Sequence, residues 1–236
     1  MNALNFFNEQ NINNNSKYFP LFFNIYNKKI VIFGGGKVCE RKVKSLLSYC
    51  IIYVYSLTFT KKLYEYSYKY KNLHLINVNL SIISNQELLS YINNAFLIIP
   101  ATNDIFINEK IKNFANKENI LVNDIMNPGD IIFPSVIKKK NITIGISTNG
   151  MSPTMSRLIR KKIMFLLSKR EIHLLLKLQN EIKKELKNKN ICSNKIKIIL
   201  NYIGKSNKIL KLISKSYSCA KKEVYLYFSN MINKNN

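Results

Sequence analysis

Apolar residues along this chain follow two rhythms. Ile30–Phe33, Ile51–Tyr55, Leu73–Val78, Ala95–Ile99 and Ile120–Asn123 are short continuous apolar runs, the pattern of strands buried on both faces of a parallel sheet. Between them apolar positions recur at helical spacing. Cys39, Val43, Leu46, Leu47 and Cys50 form one such stripe, and further helices are predicted over Thr60–Tyr70, near Gln86–Ile92, and from a cap at Asn103 or Asp104 to about Asn116. Strand and helix alternate throughout, which predicts an α/β fold with a doubly wound parallel sheet.

Outside this region the rhythm changes. Residues 1–17 are Asn-rich and aperiodic, as expected of a loose tail, and the following YFPLFFNIY predicts a short strand or an apolar plug against the sheet edge. Ile131–Ile137 and Ile142–Ser147, joined by Lys138-Lys139-Lys140-Asn141, predict a β-hairpin outside the main sheet. After Pro153 there is no proline, and no glycine until Gly204, while helical spacing continues; a helical region with a break around Asn201–Ser206 is expected. The expected organisation is a tail (1–17), a nucleotide-binding domain (18–130), a hairpin with its following helix (131–165) and a helical C-terminal domain (166–236).

The chemistry begins at VIFGGGKVCERK. Strand, Gly34-Gly35-Gly36 and helix follow in the order of a Rossmann-type dinucleotide-binding turn, where glycines let the backbone approach a pyrophosphate and the helix start offers free amides. The third position of that glycine motif is Cys39, a small residue but not a glycine; a tight strand-to-helix turn without ligand is the alternative. The acid expected on the ribose roughly 20 residues further on is missing. Tyr55-Ser56-Leu57-Thr58 stands there, and Lys61 and Lys62 leave room for a 2′-phosphate. Asp124 lies at the end of the fifth run, where ligands bind in open α/β sheets, and reads as either a catalytic or metal-contacting acid or a capping residue. In STNGMSP (147–153), Ser152 is a natural N-cap and Pro153 a first helical residue; the hydroxyls and free amides there, with Arg157 and Arg160 one and two turns along, suit an anion.

Composition narrows the class. The 37 Lys and Arg against 13 Asp and Glu give a net charge of +24, which admits nucleic acid, compositional drift toward Lys, Asn and Ile, or a polyanionic small substrate. No nucleic-acid-binding motif focuses the charge, so no specific nucleic acid is expected. Cys39, Cys50, Cys192 and Cys219 lack metal-ligand spacing and only His74 and His173 could join them, so no metal site is expected. Free cysteines, no secretory segment and no membrane-length apolar run point to a cytoplasmic protein off the membrane.

In order, GGGKVCERKVKSLL, SLTF, PATND, VNDIMNPGDIIFPSVI and ISTNGMSPTMSRLIRKKI resemble the precorrin-2 dehydrogenase family, which includes sirohydrochlorin ferrochelatases and the N-terminal module of siroheme synthase. The resemblance spans about Tyr18 to Ile163; the helical tail shares only position and character. It implies NAD-dependent dehydrogenation of precorrin-2 to sirohydrochlorin in siroheme synthesis, in a family with both bifunctional and dehydrogenase-only members. It places catalysis on Asp124, cofactor contacts on the glycine turn at Gly34, Gly35, Gly36, Lys37 and Val38, and on Leu57, Thr58 and Thr102, and a homodimer contact on the hairpin and the helix after it. A polycarboxylate tetrapyrrole would suit Thr148, Ser152, Arg157 and Arg160, with Lys138–Lys140 as further candidates. Cys39 and Pro100 stand where the family usually has alanine, and the methyltransferase module of siroheme synthase is lacking, so a separate methyltransferase would supply precorrin-2. A chelatase that makes little use of the cofactor site and a nucleotide-sensing regulatory domain are the alternatives; the PSVI and TNGMSP segments weigh against the second.

Overall fold

Five parallel strands, β1 (Lys29–Phe33), β2 (Ile51–Ser56), β3 (Leu73–Asn77), β4 (Ala95–Pro100) and β5 (Leu121–Val122), lie in the order β3-β2-β1-β4-β5, which sets the apolar run of β1 at the centre. The computed structural model describes residues 18–124 and 129–233; the expected tail over 1–17 lies outside the described residues. The chain divides into two compact units, residues 1–133 and 134–236.

In the first unit the order is β1 (Lys29–Phe33), α1 (Lys37–Leu46), β2 (Ile51–Ser56), α2 (Lys61–Lys69), β3 (Leu73–Asn77), α3 (Asn85–Ile92), β4 (Ala95–Pro100), α4 (Ile105–Lys117) and β5 (Leu121–Val122). Alternation along a pleated strand divides its side chains between two cores. Ile30 and Ile32 of β1 join Cys39 and Val43 of α1 on one face, while Val31 and Phe33 join Leu88 of α3 and Ile111 of α4 on the other. All of these side chains are buried, so β1 is the axis of the unit and its end is fixed from both sides. Thr60, Ser84 and Asp104 cap the helices that follow them; Asp104 accepts from the amides of Phe106 at 2.8 Å and Ile107 at 3.2 Å.

Two expectations differ here. Of the strand and the apolar plug expected as alternatives over 18–26, the strand does not form; Phe19, Phe22 and Tyr26 are exposed, while Phe23 meets Phe96 edge-on at 5.9 Å and Ile25 lies on the core. The fifth strand is only Leu121–Val122; the Asn123 amide still donates to the Ile98 carbonyl at 2.9 Å, and its side chain bonds Lys42 and the Ile131 carbonyl.

The second unit opens with a hairpin, β6 (Ser135–Lys139) and β7 (Ile142–Ile146), paired antiparallel so that Lys139 faces Ile142 across the turn Lys140-Asn141. Five helices follow: α5 (Pro153–Leu167), α6 (Arg170–Asn188), α7 (Ser193–Lys205), α8 (Asn207–Lys215) and α9 (Tyr217–Asn233). Buried Leu178, Ile182, Ile199, Ile203, Ile209 and Val224 centre the core of α6–α9. One break was expected and the helical region has four, because residues other than glycine and proline end these helices. Ser206 caps α8 by accepting from the Ile209 amide at 3.3 Å, and Asn190 takes φ 55° after α6.

Candidate active site

The carboxyl ends of β2, β1, β4 and β5 share one edge of the sheet, and they carry the glycine turn, Leu57-Thr58, Thr102 and Asp124. With neighbouring strands about 4.8 Å apart, the ends of β1 and β5 stand about 10 Å from each other across β4. The chain reverses direction of winding at β1, so the crevice between β1 and β4 is the switch point of the sheet.

Each glycine of the turn meets a different surrounding. Gly34 has φ +109°, and a Cβ on it would lie 2.4 Å from the Ala101 carbonyl oxygen; on Gly35 it would lie 2.0 Å from that of Thr58. These two let β1, β2 and β4 close together. Gly36 is the opposite case: nothing lies within 4 Å of the place a Cβ would occupy. Gly36 is also the N-cap of α1, with no side chain accepting from the first turn, so the leading amides at Lys37 and Val38 are left for an outside acceptor. An open glycine above free helix-start amides fits the pyrophosphate of a dinucleotide.

Cys39 is fully buried in the core, and burial, then the nearby Glu40 charge, pushes its thiol up to about 12; it is a packing residue. Glu40, which the sequence reading passed over, tethers the turn. Its carboxylate accepts from the Thr60 hydroxyl at 2.9 Å and lies 3.6 Å from Lys37 and 3.7 Å from Lys62. The Thr60 hydrogen bond and these lysines hold it below the usual carboxylate range. At the end of β2, Ser56 is buried, Leu57 is exposed and its carbonyl accepts from Asn77 at 2.7 Å. No carboxylate ends β2. Thr102 is held in a local knot: its hydroxyl lies 2.8 Å from Asn108 Oδ1, and Asn108 Nδ2 donates back to its carbonyl at 3.0 Å.

The end of β5 is built from buried polar groups. Asn123 is 3% exposed; its Nδ2 donates to the Ile131 carbonyl at 2.6 Å and its Oδ1 accepts from Lys42 at 2.7 Å. Lys42 reaches across from α1, 4.0 Å above the Phe133 ring, so the cofactor-turn helix is tied to the residue before Asp124. Burial, then the neighbouring Arg41 charge, lowers the Lys42 pKa to about 8. Asp124 has a side chain 8% exposed and pairs with Lys112 of α4 at 3.0 Å. Lys112 in turn has its pKa raised, chiefly by that hydrogen bond. Gly129 packs so closely here that a Cβ on it would meet the Asp124 amide nitrogen at 2.7 Å. Neither Lys42 nor Lys112 was singled out from sequence; a lysine inside a helical stripe otherwise reads as solvated.

The remaining candidates belong to the second unit. Thr148 Oγ1 accepts from the Ser152 amide at 3.2 Å and lies 3.2 Å from Ser156 Oγ. Ser152 caps α5 by accepting from Met155 at 3.1 Å. Arg157 folds back on its own helix, to the Pro153 carbonyl and the Thr154 hydroxyl, and Arg160 is exposed. Among the described residues no three metal-binding side chains gather, and no helix is long and apolar enough to cross a membrane.

Residues 21–135 match a family described as "Putative NAD(P)-binding", and residues 139–164 one described as "Sirohaem biosynthesis protein central". A precorrin-2 dehydrogenase of Methanosarcina barkeri is 35% identical over 221 residues, covering 93% of this chain and 98% of that protein. A siroheme synthase of Blochmanniella pennsylvanica is 35% identical over 157 residues, covering 65% of this chain but only 31% of that protein. The solved structure of SirC, a precorrin-2 dehydrogenase, has the same fold, with a TM-score of 0.69 at 20% identity over 90% of this chain and 100% of that one. By its near full-length match to the Methanosarcina enzyme, the chain belongs to the precorrin-2 dehydrogenase family.

Proposed function

We propose that this protein is an NAD-dependent oxidoreductase that converts precorrin-2 to sirohydrochlorin. The observation that carries the assignment beyond family membership is the sheet edge, where an open Gly36 cradle and a mostly shielded Asp124 stand two strands apart. The reaction removes a hydride and a proton from the reduced macrocycle. NAD, when bound, supplies the hydride acceptor.

The chain's residues divide the remaining work. The Lys37 and Val38 amides hold the pyrophosphate, Gly36 gives it room, and Leu57, Thr58 and Thr102 border the dinucleotide. Asp124 accepts the departing proton. An ammonium at 3.0 Å favours the ionised, proton-accepting carboxylate, and that pair is the role assigned to Lys112. Thr148, Ser152, Arg157 and Arg160 are assigned to the carboxylates of the macrocycle. The protein acts in the cytoplasm as a homodimer through the hairpin and α5, on precorrin-2 made by a separate methyltransferase, and needs neither membrane nor nucleic acid.

The test is an anaerobic absorbance assay with precorrin-2 generated in place and NAD added, on the wild type and Asp124→Asn. NAD-dependent sirohydrochlorin with at least a hundredfold lower kcat in the variant is expected. An unaffected variant removes Asp124 from the reaction, and no wild-type turnover with either nicotinamide cofactor refutes the function. Iron(II) added after turnover reports whether metal insertion follows.

A further inference from the structure

The positive charge is unevenly placed. Residues 134–236 hold 23 Lys and Arg against 4 Asp and Glu, whereas residues 1–133 hold 14 against 9. Three of those four acids are already engaged within the helical core: Glu181 with Lys177 and Lys221, Glu185 with Lys221, and Glu223 with Lys208. The surplus is therefore cationic and unneutralised, and part of it converges.

Between the hairpin turn and α6 lies a recess of about 630 Å³. Lys140, Arg170, His173, Lys177 and Lys184 line it, with Glu181 as its one acid. Glu181 is spent on two lysines, while Lys140, Arg170 and Lys184 have no carboxylate partner among the described residues. His173 has its Nδ1 buried without a hydrogen-bond partner. Arg170 opens α6, whose N-cap supplies no side-chain acceptor; Glu171 in the same first turn is not among the residues that line the recess. Lys140 sits at φ 51° in the hairpin turn, a left-handed conformation that strains a side-chain-bearing residue and that glycine adopts freely.

We propose that this recess binds the carboxylate groups of an organic polycarboxylate through Lys140, Arg170 and Lys184. Taken with the function proposed above, on which this identification of the ligand rests, the polycarboxylate is the tetrapyrrole. A concave cationic pocket of this volume suits the arms of a small molecule, and three separate cations suit several carboxylates at once better than one isolated anion.

The probe is a metal-free octacarboxylate porphyrin, which carries the same kind of arms but is already fully conjugated and cannot be dehydrogenated. Its fluorescence is titrated with the full-length protein, with the triple variant Lys140→Gly, Arg170→Gln, Lys184→Gln, and with a charge-matched control, Lys197→Gln, Lys205→Gln, Lys211→Gln, at exposed positions of α7 and α8. The triple variant is expected to bind at least about tenfold more weakly and the control within about twofold of wild type. Lys140→Gly relieves the turn, far-UV circular dichroism and a thermal melt matching wild type show that lost binding is not lost folding of the second unit, and unchanged NADH binding by both variants checks the first unit. Equal weakening in both variants overturns the site in favour of diffuse attraction, and no weakening overturns it outright. Full displacement by inorganic phosphate at matched ionic strength overturns the polycarboxylate assignment. Wild-type turnover with unaltered porphyrin affinity in the triple variant removes the recess and keeps the dehydrogenase; tight, variant-sensitive binding without turnover does the reverse.

Discussion

Gly35 and Gly36 are neighbours of one chemical type, yet alanine at each should produce opposite phenotypes. At Gly36 the backbone is at φ −83°, ψ −168°, open to any residue, and a Cβ meets nothing within 4 Å. Reduced freedom of the unfolded chain stabilises Gly36→Ala by about 0.4–1 kcal/mol, and the poorer N-cap costs a comparable amount. Stability should hardly move. At Gly35 a Cβ lies 2.0 Å from the Thr58 carbonyl oxygen, over 1 Å inside contact distance, and the obstacle is backbone. Moving β2 away from the turn costs about 3 kcal/mol or more, which corresponds to a drop in Tm on the order of 10 °C. Thermal melts and NADH fluorescence titrations separate the two. Gly36→Ala should melt with wild type but bind NADH at least about tenfold more weakly, about 1.4 kcal/mol, because the methyl group fills the space left for the pyrophosphate. Wild-type affinity in Gly36→Ala would refute the placement of the cofactor over this turn, and a Gly35→Ala protein as stable as wild type would refute the packing argument.

Lys112→Met should leave Asp124 without its ammonium and lower kcat at least about tenfold with NADH affinity unchanged, measured by steady-state assay and titration; an equal loss of NADH binding would contradict a role confined to Asp124. The Lys112 pKa is raised in the fold, so its contribution to stability is present below about 10.5 and lost as pH rises through the folded value, a decline in Tm that Lys112→Met should lack. Lys42 behaves oppositely: with a folded pKa of about 8 against 10.5 unfolded, the unfolded chain binds more protons in that window. Stability from this group should therefore rise between pH 8 and 10.5, and Lys42→Met should flatten the rise in Tm measured by calorimetry. NADP should bind within about tenfold of NAD, since no carboxylate at the end of β2 repels a 2′-phosphate and Lys61 and Lys62 follow it; a larger preference for NAD would point to an acid reaching in from elsewhere.

What the sequence disclosed was decided by periodicity. Runs such as Ile30–Phe33 are buried on both faces and can hardly be anything but central parallel strands, so the parallel sheet and the glycine turn were legible together, while the order of the strands was not. Helix ends in the second unit were not, because Ser206 and Asn190 do with one side-chain hydrogen bond or one left-handed residue what glycine and proline advertise openly. The segment 18–26 left strand and plug open for a related reason: its aromatic content mimics a strand, yet Ile25 packs on the core while Phe23 stays largely exposed.

The site was legible where it rests on backbone and hidden where it rests on side chains from distant elements. Asp124 could be placed from the end of a buried run, but nothing in the spacing announces that Lys112 of α4 meets it or that Lys42 of α1 holds Asn123. Each lysine stands beside an apolar residue of its helix, Val43 and Ile111, and a long charged side chain beside a buried stripe reads naturally as its solvated margin. Their contacts nonetheless link the cofactor turn to the acid of the proposed reaction. Lys42 connects the cofactor turn's helix to the strand end, and Lys112 sets the charge beside the acid at that end. A net charge of +24 left nucleic acid, compositional drift and a polyanionic small substrate open together, and did not say which cations would matter. In the first unit, where cations outnumber acids less heavily, two lysines meet Asn123 and Asp124, and the role proposed for them rests on that placement and not on their number.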